Sequence, residues 1–381
     1  MSPRGFPPAE FAARLSRAQT AMAEQGLAAL LLTTEQEVRY FTGYLTRFWE
    51  SPTRPWFLIV PAKGDVVAVI PSIGAALMAK AGVHDIRTWS APDLSDDGVT
   101  LLAATLREIV PNGERIGVPD GHETHLRMPL ADFERLRGLL GDKRTITSDA
   151  GIIRRLRMVK SPAEIAKIST ACGIAGRAFA RVPEIARVGV PLSEVFRRFQ
   201  MLCLDEGADW VPYLAGGAGQ GGYADVISPA TDVPLATGDV LMLDTGLVHD
   251  GYFCDYDRNW SLGAPSAEVA SAHARLIDAT YAAFEAAKPG CTASDLYHAM
   301  AKVLGGETDA GRLGHGLGMS LTEWPSLIAS DHTVIEEGMV LTLEPGLETS
   351  GGIIVHEENI VITATGATFL SPAAIREITC L

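Results

Sequence analysis

Four acidic residues and one histidine in the second half of this chain constrain it more than anything else. Asp244 ends the apolar run Val240-Leu-Met-Leu, and Glu344 ends the run Val340-Leu-Thr-Leu. Glu357 follows a third run, Gly352-Ile-Ile-Val-His, and Asp255 follows a Gly-Tyr turn in Gly251-Tyr-Phe-Cys-Asp. His315 sits among glycines in Gly314-His-Gly-Leu-Gly318. A carboxylate at the end of a buried strand is costly unless a partner compensates it. Taken singly, each has a bland explanation as a turn, a helix cap or a solvated loop histidine. Four carboxylates and an imidazole converging on one point are what two divalent cations about 3.5–4 Å apart require.

The chain has 381 residues, too many for one ordinary domain and suited to two. Its formal net charge is −14, and no basic block offsets it. A nucleic acid or an anionic membrane surface is therefore not an expected partner. No apolar run approaches the roughly 20 residues of a spanning helix. The first residues, Met1-Ser-Pro-Arg-Gly-Phe-Pro-Pro, carry no apolar core of a signal peptide, and a cytoplasmic location is expected. Five widely spaced cysteines without a Cys-x-x-Cys pair read as reduced thiols. Cys254, beside Asp255, reads as a packed core thiol rather than a metal ligand.

A break is expected near residue 155. The first part, 1–155, alternates helix and strand. Helical spacing runs from Glu10 to Gln25, Leu101 to Val110 and Leu126 to Leu140. Ala28-Ala-Leu-Leu-Leu and Ile116-Gly-Val read as strands, and Trp56–Pro61 with Asp65–Pro71 as a hairpin turning at Lys63-Gly64. This α/β part holds no convergent acid, base or ligand cluster and no dinucleotide-binding glycine pattern. The second part, 156–381, opens on a helix start, with Ser161 as N-cap, Pro162 in the first turn and Glu164 completing a capping box. That helix runs to about Val182. Further helices span Leu192–Glu206 and Ala267–Ala287, and the strand signals of this α+β part hold the ligands.

Spacing brings those ligands together. Asp244 and Asp255 flank a turn at His249-Asp250-Gly251, so one hairpin unites them. Glu344 and Glu357 flank a second turn at Ser350-Gly-Gly352. The oxygen-rich set suits Mn, Fe(II), Co or Zn in a binuclear site. Such a site lowers the pKa of water, and an adjacent carboxylate serves as general base.

These motifs resemble the creatinase/prolidase/methionine-aminopeptidase superfamily of the pita-bread fold, over nearly the whole chain. The carriers are Val38-Arg-Tyr-Phe-Thr-Gly43, Arg157-Met-Val-Lys-Ser-Pro-x-Glu-Ile165, Asp244-x-Gly246, Asp255-x-x-Arg258, Gly314-His-Gly-x-Gly318, Glu344-Pro-Gly346 and Glu357-x-Asn359. The resemblance implies a creatinase-like α/β N-terminal domain and an α+β pita-bread catalytic domain. It implies that Asp244, Asp255 and Glu357 bind one metal, that Asp255, His315, Glu344 and Glu357 bind the other, and that Glu344 doubles as general base. A homodimeric hydrolase cutting a C–N bond in an Xaa-Pro dipeptide follows by default.

The chain departs from proline-specific members. Where they carry extra histidines it has Ile227, Gly311 and Thr322, and where they carry an arginine before the last glutamate it has Val355, with His356 beside it. Relatives that act on ectoine or dimethylsulfoniopropionate make a small-osmolyte hydrolase or lyase an alternative. A catalytically dead binding module is a third reading, against which all five ligands stand. His356 and Glu323 are candidates for proton transfer, or for supporting the metal ligands. Thr322 is a candidate substrate contact, and Arg258 an ion-pair partner of a ligand carboxylate. His249, Asp250 and Asp257 read as turn or surface residues. The segment Thr46–Trp56 is unusually aromatic. It reads as a packing loop, or as a loop reaching the partner subunit's active site with Arg47, Trp49, Arg54 and Trp56 on the substrate.

Overall fold

In the computed structural model, which describes residues 3–51, 54–306 and 311–381, the chain divides into two compact units, Pro3–Arg157 and Met158–Leu381. No helix among the described residues is long and apolar enough to cross a membrane.

The first unit is built on a six-stranded mixed sheet. Its strands are β1 (Ala29–Leu32), β2 (Phe57–Pro61), β3 (Val67–Pro71), β4 (Asp85–Trp89), β5 (Arg115–Val118) and β6 (Thr145–Ser148), in the order β4-β3-β2-β1-β5-β6. β2 and β3 pair antiparallel as the hairpin expected around Lys63-Gly64. β1 is buried along its whole length, as its unbroken apolar sequence demands. The helix Val99–Ile109 closes one face of the core through Leu102 and Leu106.

The aromatic segment after Tyr44 folds into this unit; Pro52 and Thr53 lie outside the described residues. Trp49 and Trp56 are buried, 7% and 1% exposed, with ring centroids 5.5 Å apart and Tyr44 against both. The Arg127 guanidinium lies 4.9 Å over the Trp49 ring and donates to the carbonyls of Trp49 (3.0 Å) and Arg54 (2.6 Å). Both indoles expected on the substrate are thus spent on packing their own unit. Arg47 pairs with Glu50 at the exposed edge, and Arg54 is half-buried.

The second unit opens on the helix Pro162–Ala180. Ser161 Oγ accepts from Glu164 N (3.3 Å), and Glu164 Oε2 accepts from Ser161 N (2.9 Å), the reciprocal cap that the sequence implies. Next come the helix Leu192–Asp205 and strands β7 (Trp210–Gln220), β8 (Asp239–His249), β9 (Tyr252–Phe253) and β10 (Tyr256–Ser261). After the helices Ala267–Ala286 and Ala293–Leu304 come β11 (His315–Gly316), β12 (Glu323–Ser326), β13 (Val340–Leu343), β14 (Gly346–Thr349), β15 (Gly352–Val355), β16 (Glu358–Ile362), β17 (Ala367–Phe369) and β18 (Thr379–Cys380). One sheet runs β18-β10-β8-β7, with β9 added to β8. A second runs β12-β11-β13-β16-β17, and β14 with β15 forms a ribbon. The two helices before β11 pack Ala279, Ala283, Leu296 and Met300 against Leu341, Leu343, Ile360 and Ile362 of the second sheet.

Each sheet supplies part of the candidate ligand set. In the first, β8 and β9 join through Asp250 and Gly251, whose φ values of 49° and 80° are those of the two-residue turn that twists with its strands. Of the three residues read as turn or surface positions, Asp250 takes the turn, while the other two differ. His249 and Asp257 are buried, and Asp250 is in an ion pair with Lys167. In the second sheet, β13 pairs with β16 so that Leu343 faces Glu358. Glu344 and Glu357 therefore follow and precede a paired position, and the β14–β15 ribbon loops out between them.

Candidate active site

The five ligand-type residues line one cavity of 440 Å³ in the second unit. Asp244 is on β8, facing Asp257 in register on β10, and Asp255 lies one residue before β10. The Asn359 side chain of β16 accepts from Asp255 N (3.0 Å) and donates back to Asp255 O. That exchange imitates a strand pair and ties the two sheets together beside the carboxylates. Asp255, His315 and Glu357 each offer a ligand atom, all within 4.8 Å of one another.

His315 is held by its neighbours. Its Nδ1 is 2.7 Å from Gly316 O. A carbonyl only accepts, so Nδ1 carries the hydrogen, and Nε2 is turned toward Glu344 Oε1 (2.9 Å) and Asp255 Oδ2 (3.4 Å). Thr342 on β13 accepts from His315 N (3.0 Å) and donates its hydroxyl to Glu344 Oε1.

The electrostatics are those of a cage that wants a cation. Asp244 Oδ1 and Glu357 Oε1 are buried without a hydrogen-bond partner. Burial, and then the Asp255 charge, push both carboxyls well above the usual range. Burial also raises Asp255 to about 6 against the opposing pull of His315. Burial would raise Glu344 as well, but His315, the Thr342 hydroxyl and Arg312 hold it down at about 2. Carboxylates packed this closely cannot all be charged without a counter-ion. The orphaned oxygens, an Nε2 turned into the carboxylates and the oxygen-rich donor set fit hard or borderline divalent metals.

Other expected site residues divide. Thr322 lines the cavity and accepts from Arg312 Nη2 (3.2 Å). His356 also lines it, buried between Asp257 Oδ1 (3.3 Å) and Glu358 Oε1 (3.4 Å). Asp257 in turn accepts from Glu357 N (2.9 Å), so His356 and Asp257 together brace the Glu357 backbone. Arg258 does not pair with a ligand carboxylate. It bonds Glu358 Oε2 (3.0 Å), one residue on, and donates to Glu357 O (3.2 Å). Glu323 does not line the cavity and is no proton carrier to it. Its carboxylate is in a buried pair with Lys160 (3.2 Å), the two side chains 7% and 2% exposed. Removing one member of such a pair strands the other. Lys160→Met is expected to cost about 3–5 kcal/mol in urea unfolding, while Glu323→Gln leaves turnover per folded molecule unchanged.

Two cavity residues have no sequence signal of their own. Tyr213 on β7 bonds Asp244 through its side chain, and Arg312 lies in the loop before His315. Each is an ordinary residue type in an ordinary context, and only the fold brings it to the carboxylates.

Behind His356 lies His273, with ring centroids 6.3 Å apart and Nδ1 3.2 Å from Arg376 O. Burial, then the neighbouring His356 charge, lower the His273 imidazole to about 4 from its ordinary 6.5. The unfolded chain therefore binds a proton there more readily than the folded one between those values. This contribution is complete above pH 6.5 and lost as pH falls to 4, by about 3 kcal/mol. His273→Gln is expected to flatten this part of the stability–pH curve, read from urea midpoints against wild type.

Residues 166–364 match the Metallopeptidase family M24 model, and residues 14–159 match the Creatinase/Prolidase N-terminal domain. The chain is 32% identical over 375 residues to a protein named probable dipeptidase PepE of Mycobacterium tuberculosis, covering 96% of each. It is 32% identical over 228 residues to an Xaa-Pro dipeptidase of Pyrococcus horikoshii, covering 58% of this chain and 64% of the relative. A crystal structure of dipeptidase PepE from Mycobacterium ulcerans superposes with a TM-score of 0.84 at 28% identity, covering 98% of this chain and 99% of the other. The matches span both units, and this chain belongs to metallopeptidase family M24, as a metal-dependent hydrolase with a creatinase/prolidase-type N-terminal domain.

Proposed function

We propose that this chain is a binuclear metal-dependent dipeptidase, cutting the C–N bond of a short peptide of the Xaa-Pro type. The observation that carries this reading is the pair of orphaned buried oxygens, on Asp244 and Glu357, in a cavity where Glu344 alone of the cage acids keeps both a low pKa and substantial exposure, 23% at its side chain. Asp244, Asp255 and Glu357 would hold one ion, and Asp255, His315, Glu344 and Glu357 the other, with Asp255 and Glu357 shared. Divalent cations in such a cage supply Lewis acidity toward a carbonyl oxygen and lower the pKa of water.

The protein's own groups do the rest. Glu344, anionic and facing the cavity, takes the proton of the attacking water. The same carboxyl can return that proton to the departing nitrogen as the C–N bond breaks. Thr342 and His315 hold the Glu344 carboxylate in place. Tyr213 orients Asp244, and the His356–Asp257 pair fixes the Glu357 backbone. Homologues named as dipeptidases support a dipeptide substrate.

The second reading is hydrolysis or lysis of a small osmolyte. The cavity wall favours it in one respect: Met242, Leu321, Ile353 and Val355 are apolar where a peptide backbone would ask for donors. Elemental analysis of purified protein, with turnover of Gly-Pro and Ala-Pro after Mn loading, separates the two. About two ions per chain with dipeptide turnover supports the dipeptidase. The same metal content with turnover only of ectoine or dimethylsulfoniopropionate supports the osmolyte enzyme. No bound metal after loading sinks both.

A further inference from the structure

Among the described residues lining the cavity, three carry a buried oxygen without a hydrogen-bond partner: Asp244 Oδ1, Glu357 Oε1 and Asp257 Oδ2. The first two belong to the cage. The third lies outside the five-residue set, on a side chain that is 1% exposed.

Strand geometry explains how Asp257 reaches the cage. It lies two residues after Asp255, so alternation turns both side chains to one face. Across the sheet it is in register with Asp244. Like charges directly opposite on neighbouring strands destabilise a sheet, and burial adds to the cost. One face of the first sheet thus presents Asp244, Asp255 and Asp257 together, and all three line the cavity.

The two oxygens of Asp257 have different surroundings. Oδ1 accepts from Glu357 N at 2.9 Å and lies 3.3 Å from His356 Nδ1. Oδ2 takes part in neither contact. Bracing Glu357 or balancing His356 needs Oδ1 alone, and burying Oδ2 unpaired on the face of Asp244 costs free energy. A cation shared between the two strands removes that cost, because it satisfies Asp244 Oδ1 and Asp257 Oδ2 at once.

We propose, on the two-ion reading of the cage, that Asp257 Oδ2 binds the same ion as Asp244. That ion is then held by the carboxylates of Asp244, Asp255, Asp257 and Glu357 and by no nitrogen, while His315 serves the other ion alone. A donor set of oxygens suits a hard cation such as Mn, which is the probe of choice.

The test uses the full-length protein as wild type, Asp257→Asn and His356→Gln, each stripped with a chelator and titrated with Mn. Asn keeps the size of the side chain, and its carbonyl oxygen can take the place of Oδ1 with both contacts intact. Only Oδ2 changes, to an amide nitrogen that is no ligand. Calorimetry should give about two Mn per wild-type chain. In Asp257→Asn one of the two should bind about 100-fold more weakly or worse, since a group that merely supports a ligand is already worth 10–100-fold. His356→Gln leaves Oδ2 in place and should keep both ions within about tenfold of wild type. A crystal structure of the Mn-loaded wild type needs no variant to fold. It should place Oδ2 within about 2.5 Å of an ion that Asp244 also binds.

Oδ2 bonded to a water or a side chain in that structure, and not to an ion, overturns the proposal. So does an Asp257→Asn protein that binds both ions as wild type does, a result that leaves the two-ion cage standing and removes only the role of Asp257. Equal losses in Asp257→Asn and His356→Gln also overturn it and make Asp257 a brace for Glu357. Wild type that takes up fewer than two ions removes the two-ion reading and the role of Asp257 with it.

Discussion

Asp255→Asn is expected to abolish metal retention and to lower hydrolysis by roughly 10³-fold or more, while making the metal-free protein more stable than wild type. Asn keeps the size of the side chain and removes its charge. The backbone clamp from Asn359 to both Asp255 N and Asp255 O stays in place, so the strand is not lost with the charge. Asp255 contributes to the raised pKa of both Asp244 and Glu357, so removing it relieves repulsion in the empty cage. Relief of strain at a functional site commonly adds about 0.5–2 kcal/mol. Wild type should gain stability with added Mn, because an ion that binds only the folded state stabilises it. The variant should not. Thermal unfolding with and without Mn, alongside elemental analysis, checks both halves. A variant that is destabilised without metal, or that still responds to Mn, would show that Asp255 is not shared between the ions.

The second large effect is expected at Glu344. Glu344→Gln should lower kcat by about 10²–10⁴-fold, the usual worth of a positioned general base, with KM little altered. The amide oxygen can still accept from Thr342 and can still serve as a weak ligand, so metal content should fall far less than in Asp255→Asn. The glutamine amide has no proton to lose in this range, so raising the pH across neutrality cannot restore the base. Equal losses of metal in the two variants would assign Glu344 a ligand role alone. Rapid-mixing turnover at saturating dipeptide, paired with metal analysis, distinguishes these outcomes.

The two variants test residues that are legible for the same reason. An acid at the end of Val240-Leu-Met-Leu or Val340-Leu-Thr-Leu is a local anomaly, since the run must be buried and the charge must not be. The Asp250-Gly251 turn is equally local, because its positive φ values favour those residue types. The helix start at Ser161 is complete within four residues, through a hydroxyl and a carboxylate that bond the backbone beside them.

What could not be read depends on residues far apart in the chain. Lys160 meets Glu323 across 163 positions, and that pairing removes Glu323 from the cavity. Arg258 was expected on a ligand carboxylate and takes Glu358 instead, because β10 and β16 bring those two side chains together. Trp49 and Trp56 are attractive substrate contacts in sequence, but Arg127 and Tyr44 hold them inside the first unit. Arg312 and Tyr213 are ordinary side chains until β7, β8 and the loop before β11 bring them to one cavity.

By itself, the sequence pointed to five candidate ligand residues and to an α/β and an α+β part through charge placed against local apolar pattern, and to the metal-dependent hydrolytic class through its likeness to a known family. Only the tertiary structure decided which polar residues face the cavity and which pair with one another away from it. Those choices follow from strand register and long-range packing, and a carboxylate is recruited or neutralised by whichever cation the register brings within a few ångströms.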